Sequence, residues 1–415
     1  MGKNVGIIGG GIIGLCCAYY LEKEGHQVTV IDKCNFNKGA SYVNAGYITP
    51  SHIIPLSAPG VISKGLKWML NPVSPFYMKP RLDLDFLKWT WKFKSFATKT
   101  HVERSIKPLL DINILSRELY QDLKTSGDFD FHYQHDGLLM AYKTDKMGEE
   151  EWKVGRRAIE EGLEVSLLSP KDLRQIEPNA QLNVKGAVYF KSDAQMTPTE
   201  FMPQLLNHLQ LKGVSIKAEE TVQDITTQAN KVRSITTEKG QYKFDEVVLA
   251  SGAWTQKLAH QLGLKIWLQA GKGYSINVNR PTGISLPTIF CEAKAAVSPM
   301  NGFTRFAGTM EIGGINHDIS KVRVKAIAKA AESYYHNLSI TDAEIEAANC
   351  GLRPVSPDGL PYIGRVPSLN NITIATGHAM MGWSMGPATG KLVTEIISDQ
   401  PNSIAINAFL PDRKM

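Results

Sequence analysis

Residues 4 to 32, NVGIIGGGIIGLCCAYYLEKEGHQVTVID, constrain this chain more than any other stretch. An apolar strand, Val5 to Ile8, runs into Gly9, Gly10, Gly11 and Gly14. A helix with few charges follows, and a second strand from Gln27 to Ile31 ends in Asp32. Each part has a physical task in binding a dinucleotide. Gly9 allows a tight turn, Gly11 lets the backbone approach a pyrophosphate, and Gly14 lets the helix pack closely on the sheet. The helix N-terminus presents unpaired N–H groups and a positive dipole end to the phosphates. Asp32 stands at about the distance, roughly 20 residues on, where a carboxylate accepts hydrogen bonds from ribose hydroxyls. A glycine turn alone says little; between two strands and followed by this acid, it says a great deal.

The competing reading is a signal peptide or membrane span, because Val5 to Leu21 is almost wholly apolar. Five glycines weaken such a helix, only one lysine precedes it, and a strand pattern follows directly. The run is also short of the ~20 residues a span needs.

At 415 residues the chain exceeds one ordinary core, so two domains or one interrupted domain are expected. Hydrophobic content of 43% and charged content of 21% describe a globular protein. The net charge of +6 is not gathered into basic runs and does not argue for nucleic acid. Five cysteines (Cys16, Cys17, Cys34, Cys291, Cys350) are odd in number and lack CxxC spacing. They fit reduced thiols in a reducing, cytoplasmic compartment, with no metal site.

The loop after Asp32, KCNFNKGASYVNAGYITPS, has the small residues of a segment lying against a large ligand. Residues 60 to 125 read as helical. Within them Trp68, Trp89, Trp91, Phe93 and Phe96 alternate with Lys67, Lys88, Lys92 and Lys94. Aromatics beside lysines suit a membrane surface. An amphipathic helix with an aromatic core face and snorkelling lysines explains them equally simply, and is preferred here. Strands are expected at 131–143 and 184–190, with a helix near 150–162 between them. A helix from Thr199 to Leu211 leads to a strand at Val214–Lys217. A buried strand at Glu246–Ala250 ends in Ser251, Gly252 and Ala253, before a helix that starts at Trp254. Residues 265–345 alternate like a mixed sheet with one helix near 321–337. The chain closes with a strand at Asn371–Ala375 and a helix from Ala388 to Ser398. Dinucleotide-type elements therefore occur at the beginning, middle and end, with a second domain inserted between them.

With these residues in view, the chain resembles the D-amino-acid oxidase superfamily of FAD enzymes, which includes glycine oxidase, sarcosine oxidase and the bacterial D-amino-acid dehydrogenases. The resemblance rests on GGGIIG at 9–14, ASYVNAG at 40–46, VVLASGAW at 247–254, KGYS at 272–275, GLRPVSPDGLPYIGR at 351–365 and GHAMMGWSMGPATG at 377–390. The stretch from Pro55 to Phe93, with APG, KWML, SPF and FLKWTW, is similar to the D-amino-acid dehydrogenase branch in particular. The implied architecture is α/β: a Rossmann-like FAD domain of the glutathione-reductase type from 1–60, 191–262 and 346–415. An α+β substrate domain with a mixed antiparallel sheet would come from 61–190 and 263–345.

The resemblance also implies site residues. Ile12 and Ile13 lie at the pyrophosphate turn with Gly9, Gly11 and Gly14, and Asp32 with Lys33 at the adenosine ribose. Ala40, Ser41, Asn44, Ala45, Gly46 and Tyr47 line the path from phosphates to flavin. Val222 meets the adenine, and Gly252 and Trp254 border the cofactor. His378, Met381, Gly382, Trp383 and Ser384 belong to the loop around the isoalloxazine ring, with the last helix aiming its positive end at the ring's N1–C2=O edge. Arg353 matches the arginine that grips the substrate carboxylate through two parallel hydrogen bonds; its structural alternative is an ion pair with Asp358. Tyr274 is a second candidate contact. Met380 stands where glycine oxidases carry a basic residue, which points away from glycine and toward a less polar pocket.

The implied reaction is oxidation of a D-amino acid by hydride transfer from Cα to flavin N5, giving an imino acid and then a 2-oxo acid and ammonia. D-alanine is the first expectation; D-proline or D-hydroxyproline, as cyclic secondary amines, and an oxygen-using oxidase are the alternatives. No separate acid–base residue is required if the substrate binds as the free amine. Electrons would pass to a quinone or other non-oxygen acceptor, with peripheral contact at the inner face of the cytoplasmic membrane. An RNA-modifying flavoprotein is disfavoured, because basic residues and stacking aromatics interleave only within 64–99. A flavin-binding protein without catalysis is the remaining reading. Oligomeric state is not legible.

Overall fold

The first apolar run forms the strand Asn4–Ile8, at the centre of a six-stranded sheet. In a computed structural model, which describes residues 2–60 and 74–415, this strand runs parallel to Gln27–Ile31 on one side and to Glu246–Leu249 on the other. Ser215–Lys217 extends the first side. The antiparallel pair Leu369–Thr376 and Tyr362–Val366 extends the second. Strands covered on both faces read as continuous apolar runs, and both faces here are covered. Val5, Ile7, Val28 and Val30 pack with the helices Ile12–Lys23 and Gly386–Ile397. These helices meet so closely that a Cβ at Gly390 would stand 2.5 Å from the carbonyl carbon of Cys16. Ile8, Val247, Leu249 and Ile374 pack instead with Ile225, Val232 and Ile235 of a small antiparallel sheet, Val222–Gln228, Lys231–Thr237 and Gln241–Tyr242.

A nine-stranded sheet forms the other half of the molecule. Its order is Asn349–Val355, Gln269–Val278, Phe303–Ile312, Ala295–Met300, Thr288–Phe290, Leu138–Tyr142, Gly186–Phe190 and Val165–Leu168, with Phe76–Met78 paired to the end of Phe303–Ile312. Tyr274, Ile276 and Phe306 pack beneath the helix Lys321–Tyr334. Asn277, Arg305 and Ala307 alternate with them and face a large cavity. Asn349–Val355 differs from the expected division of the chain. Although it lies in the 346–415 segment, it hydrogen-bonds along Gln269–Val278 from Gln269↔Val355 to Ser275↔Asn349. The chain crosses between the sheets after Val355, and that crossing brings the site together.

The 60–125 region is not uniformly helical. A short strand, Phe76–Met78, precedes the helices Leu84–Phe96 and Lys99–Thr125. Trp68, Lys67 and the KWML motif lie outside the described residues. The helix expected near 150 begins at Asp145, because the Thr144 side chain accepts a hydrogen bond from the Met147 N–H and caps it there.

Candidate active site

The glycine turn is built as its residue types require. Gly9 has φ +112°, and a Cβ on it would lie 2.4 Å from the Ala250 carbonyl oxygen. A Cβ on Gly14 would fall 1.8 Å from the Gly9 oxygen, so Gly14 works from behind the turn and does not line the cavity. Gly11 caps the helix Ile12–Lys23 with no side-chain partner, and a Cβ there would meet only Ser41 Oγ at 3.4 Å. Ser41 Oγ accepts from the Ile12 N–H at 3.0 Å, while the absence of a side chain at Gly11 keeps the neighbouring helix-terminal space clear for an anion. The Asp32 carboxylate accepts from the Gly10 N–H (2.6 Å) and the Cys34 N–H (2.8 Å), and is thereby fixed at the mouth of the turn. Lys33 Nζ sits over the Trp254 ring, 3.3 Å from its centroid.

These residues open onto a cavity of about 1600 Å³ between the two sheets. Pockets for small ligands typically measure roughly 300–1,000 Å³, so there is room for a dinucleotide and a substrate together. Gly9, Gly11, Ile12, Ile13, Asp32 and Lys33 form one end of it. Val222, Gly252 and Trp254 border that end, and Ala40, Ser41, Asn44, Ala45 and Tyr47 run along one side. His378, Met381, Gly382 and Trp383 belong to the same lining. Gly46 and Ser384 stand behind it. Gly46 has φ +74° and abuts the Met196 carbonyl, while Ser384 Oγ accepts from the Thr49 N–H and donates to Asn113 Oδ1. Two buried polar atoms of lining residues, His378 Nδ1 and Trp383 Nε1, have no hydrogen-bond partner among the described residues. Buried polar atoms are almost always paired, so these fit a polar ring system such as flavin. Burial lowers the His378 imidazole to about 3; it is neutral and bonded through Nε2 to Thr389 Oγ1.

Arg353 is the chemically distinctive group. Its guanidinium fills the place a Cβ would occupy at Gly273, 2.2 Å from that position, which explains the glycine in KGYS. Nη1 donates to the Thr309 carbonyl at 2.7 Å. Thr309 itself has φ +67°, a strained conformation for a β-branched residue, which turns its carbonyl to the arginine. The alternative partner Asp358 is taken by Arg413, at 2.7 and 3.0 Å. Among the described residues no carboxylate pairs with Arg353, and burial lowers its pKa only to about 10, so it remains charged at neutral pH. A desolvated cation without a counter-ion is a site for an anionic ligand.

Tyr274 is placed differently from expectation. It borders the cavity, but its ring packs under Lys321–Tyr334 and its hydroxyl donates to Glu311 Oε2 at 2.7 Å. Glu311 is also bound by Arg323 (2.9 Å) and Lys272 (3.6 Å), so Tyr274 belongs to a structural ion cluster. Arg305, Thr309 and His52 are among the lining residues that escaped the sequence reading. Arg305 donates to the Tyr42 and Asn44 carbonyls and to Asn277 Oδ1, and so clamps the 40–46 loop to the large sheet. Thr309 and His52 also line the cavity, and no local motif announces any of the three.

The FAD dependent oxidoreductase family, DAO, matches residues 4–396, and the chain belongs to it. It is an FAD-dependent oxidoreductase, and the glycine turn, the open helix terminus and the unpaired ring nitrogens fit that cofactor. A D-amino acid dehydrogenase of Helicobacter pylori (strain J99) is 31% identical over 97% of this chain and 96% of its own length. Among solved structures, glycine oxidase from Geobacillus kaustophilus superposes with a TM-score of 0.76 at 22% identity, covering 100% of this chain and 99% of that one. L-proline dehydrogenase from P. horikoshii gives 0.74 at 20% identity, with 99% and 97% covered.

Proposed function

We propose that this flavoenzyme oxidises the Cα–N bond of a D-amino acid, yielding an imino acid that water converts to a 2-oxo acid and ammonia. The observation that carries the reading is Arg353, a desolvated guanidinium in the cofactor cavity with no counter-ion among the described residues. The full-length similarity to a D-amino acid dehydrogenase supports the handedness and the amine class. Bound FAD supplies the two-electron acceptor. Arg353 takes the substrate carboxylate through two parallel hydrogen bonds and is itself steadied by the Thr309 carbonyl. Leu56, Phe76, Met310 and Met380 offer the side chain an apolar surface, which suits D-alanine and other small apolar residues. The clamp also accommodates D-proline or D-hydroxyproline. The Gly9–Gly14 turn would hold the diphosphate, Asp32 the ribose and Val222 the adenine. The 40–47 loop and His378–Ser384 would flank the flavin, with Gly14, Gly46 and Ser384 acting from behind the wall.

The electrons pass to a quinone at a membrane surface. The helix Leu84–Phe96 supports this part, because it has two apolar faces. Phe86, Trp89 and Phe93 are buried, while Leu84 (73% exposed), Leu87 (49%) and Trp91 (69%) form an outer stripe beside Lys88 and Lys94. That pattern suits an interfacial helix lying on a cytoplasmic membrane face. No helix of the described residues is long and apolar enough to cross a membrane.

The test is a panel of D- and L-amino acids and cyclic amines, followed anaerobically by loss of flavin absorbance, with quinone reduction and peroxide formation assayed beside it. D-Alanine should bleach the flavin and reduce quinone; vigorous peroxide formation would make the protein an oxidase instead. Arg353→Leu should raise KM by orders of magnitude with flavin still bound, and unchanged kinetics would remove the carboxylate role.

A further inference from the structure

Beside the cofactor cavity lies a chain of three polar residues that the oxidation just described does not use. His52 lines the cavity, and its Nε2 makes no hydrogen bond with the described residues. Its Nδ1 is 3.2 Å from Ser51 Oγ, and Ser51 Oγ in turn donates to Asp193 Oδ2 at 2.5 Å. The Ser51 N–H donates to Asp193 Oδ1 at 3.0 Å, which fixes the geometry. Asp193 has no exposed surface and no ion-pair partner among the described residues. The charged group that faces it is Arg117, from the helix Lys99–Thr125, which donates to the adjoining Ser192 carbonyl. The segment is anchored to the 378–384 loop: the Thr49 N–H donates to Ser384 Oγ, and Thr49 Oγ1 lies 3.9 Å from Met381 Sδ.

An amino acid in neutral water is a zwitterion, and an ammonium nitrogen has no lone pair with which to expel hydride from Cα. A zwitterion taken up from solution must therefore lose one proton before oxidation. We propose that His52, Ser51 and Asp193 form a proton relay that draws this ammonium proton out of the active site and into the protein. This rests on the amine-oxidation reading above. In the transfer, the substrate N–H bond breaks as His52 Nε2 gains the proton. His52 Nδ1–H passes to Ser51 Oγ, and the original Ser51 hydroxyl proton passes to Asp193 Oδ2. The substrate becomes a neutral amine, His52 changes tautomer without becoming charged, and Asp193 becomes a neutral acid. No electrons move between molecules in this step, and after product leaves the proton returns along Ser51 and His52 to the cavity, which restores the starting tautomer. Burial disposes both ends to the task. It lowers the His52 imidazole to about 4, so the ring is a neutral acceptor at working pH, and raises the Asp193 carboxyl to about 7, so it can store a proton.

The test compares His52→Phe, Asp193→Asn and Arg353→Leu as holoenzymes, each with its flavin content measured. Anaerobic flavin bleaching is followed at saturating D-alanine across pH. In the wild type the rate should rise through about pH 7, and Asp193→Asn should lose that inflection. His52→Phe should be slower by about 10²–10⁴-fold near neutrality and recover as pH approaches the pKa of the substrate ammonium, where free amine is supplied directly. Arg353→Leu should show no such recovery. Independently of turnover, 15N resonances of His52 should report a change of tautomer as Asp193 titrates, absent in Asp193→Asn. Wild-type bleaching rates in His52→Phe, or a deficit that is the same at every pH, would overturn the relay and leave the amine oxidation standing. If no amine bleaches the wild-type flavin, the parent reading falls instead.

Discussion

At the scale of single residues, the site depends on what is missing around a few side chains. Among the described residues Arg353 has no carboxylate partner, since Arg413 holds Asp358, and it meets no neighbouring Cβ because position 273 is glycine. Gly273→Ala would drive a methyl group into the guanidinium. We expect flavin content to be retained and KM for D-alanine to rise about tenfold or more, the scale of a lost bidentate pair at ~1.5–3 kcal/mol, as read from steady-state kinetics. His378 gives a second residue-scale prediction. Its imidazole sits at about 3 in the fold against 6.5 when unfolded, so the unfolded chain binds the extra proton between those values. Its contribution to stability is present above about pH 6.5 and is lost as pH falls toward 3. Denaturant unfolding of His378→Gln should therefore lose stability on acidification less steeply than wild type, by up to about 1.4 kcal/mol per pH unit within that window. Asp193 acts in the opposite sense, its raised carboxyl favouring the fold as pH drops from about 7; the single substitution separates the two.

Among the elements, the ones with a clean period were legible and the ones held by partners were not. The helix expected at 199–211 is Pro198–Leu211, and the strand expected at 246–250 is Glu246–Leu249, because each carries its own apolar pattern. Asn349–Val355 and Tyr362–Val366 escaped notice. Their stretch holds Pro354, Pro357, Pro361 and several glycines, which read as loop, and they become strands through pairing with Gln269–Val278 and Leu369–Thr376. The helix Leu84–Phe96 has the buried aromatic face of an amphipathic helix and, beside it, an exposed apolar stripe. Replacing Leu84, Leu87 and Trp91 together with serine should abolish sedimentation with anionic lipid vesicles, while dye-linked activity and flavin content persist. If the variant still sediments, the stripe is not the membrane contact.

For the molecule as a whole, the cavity is a product of two sheets that no single segment contains. The dinucleotide turn lies in one sheet and Arg353 in the other, and the crossing after Val355 holds them in one lining. A cavity of about 1600 Å³ is a large internal space to leave without packing atoms. FAD should therefore contribute strongly to stability: removing it should lower the unfolding temperature, and adding it back should restore it. A ligand at a thousand times its Kd contributes about 4.1 kcal/mol. An unfolding temperature indifferent to FAD would mean that the cofactor does not fill this space.

From residues 4 to 32 alone follow a dinucleotide turn, its strand–helix–strand frame and the acid at the end of the second strand, Asp32. Those depend on local backbone geometry and short spacing, which a sequence records directly. The spread-out motifs added the family likeness and, with it, Arg353. The sequence left undecided whether Arg353 was paired with Asp358, where the Tyr274 hydroxyl points, and which strands join which sheet. It did not hint that His52, Ser51 and Asp193 meet. Each of these depends on residues from distant segments sharing one buried environment. Desolvation and the presence or absence of a counter-ion are properties of that environment, and only the tertiary structure creates it.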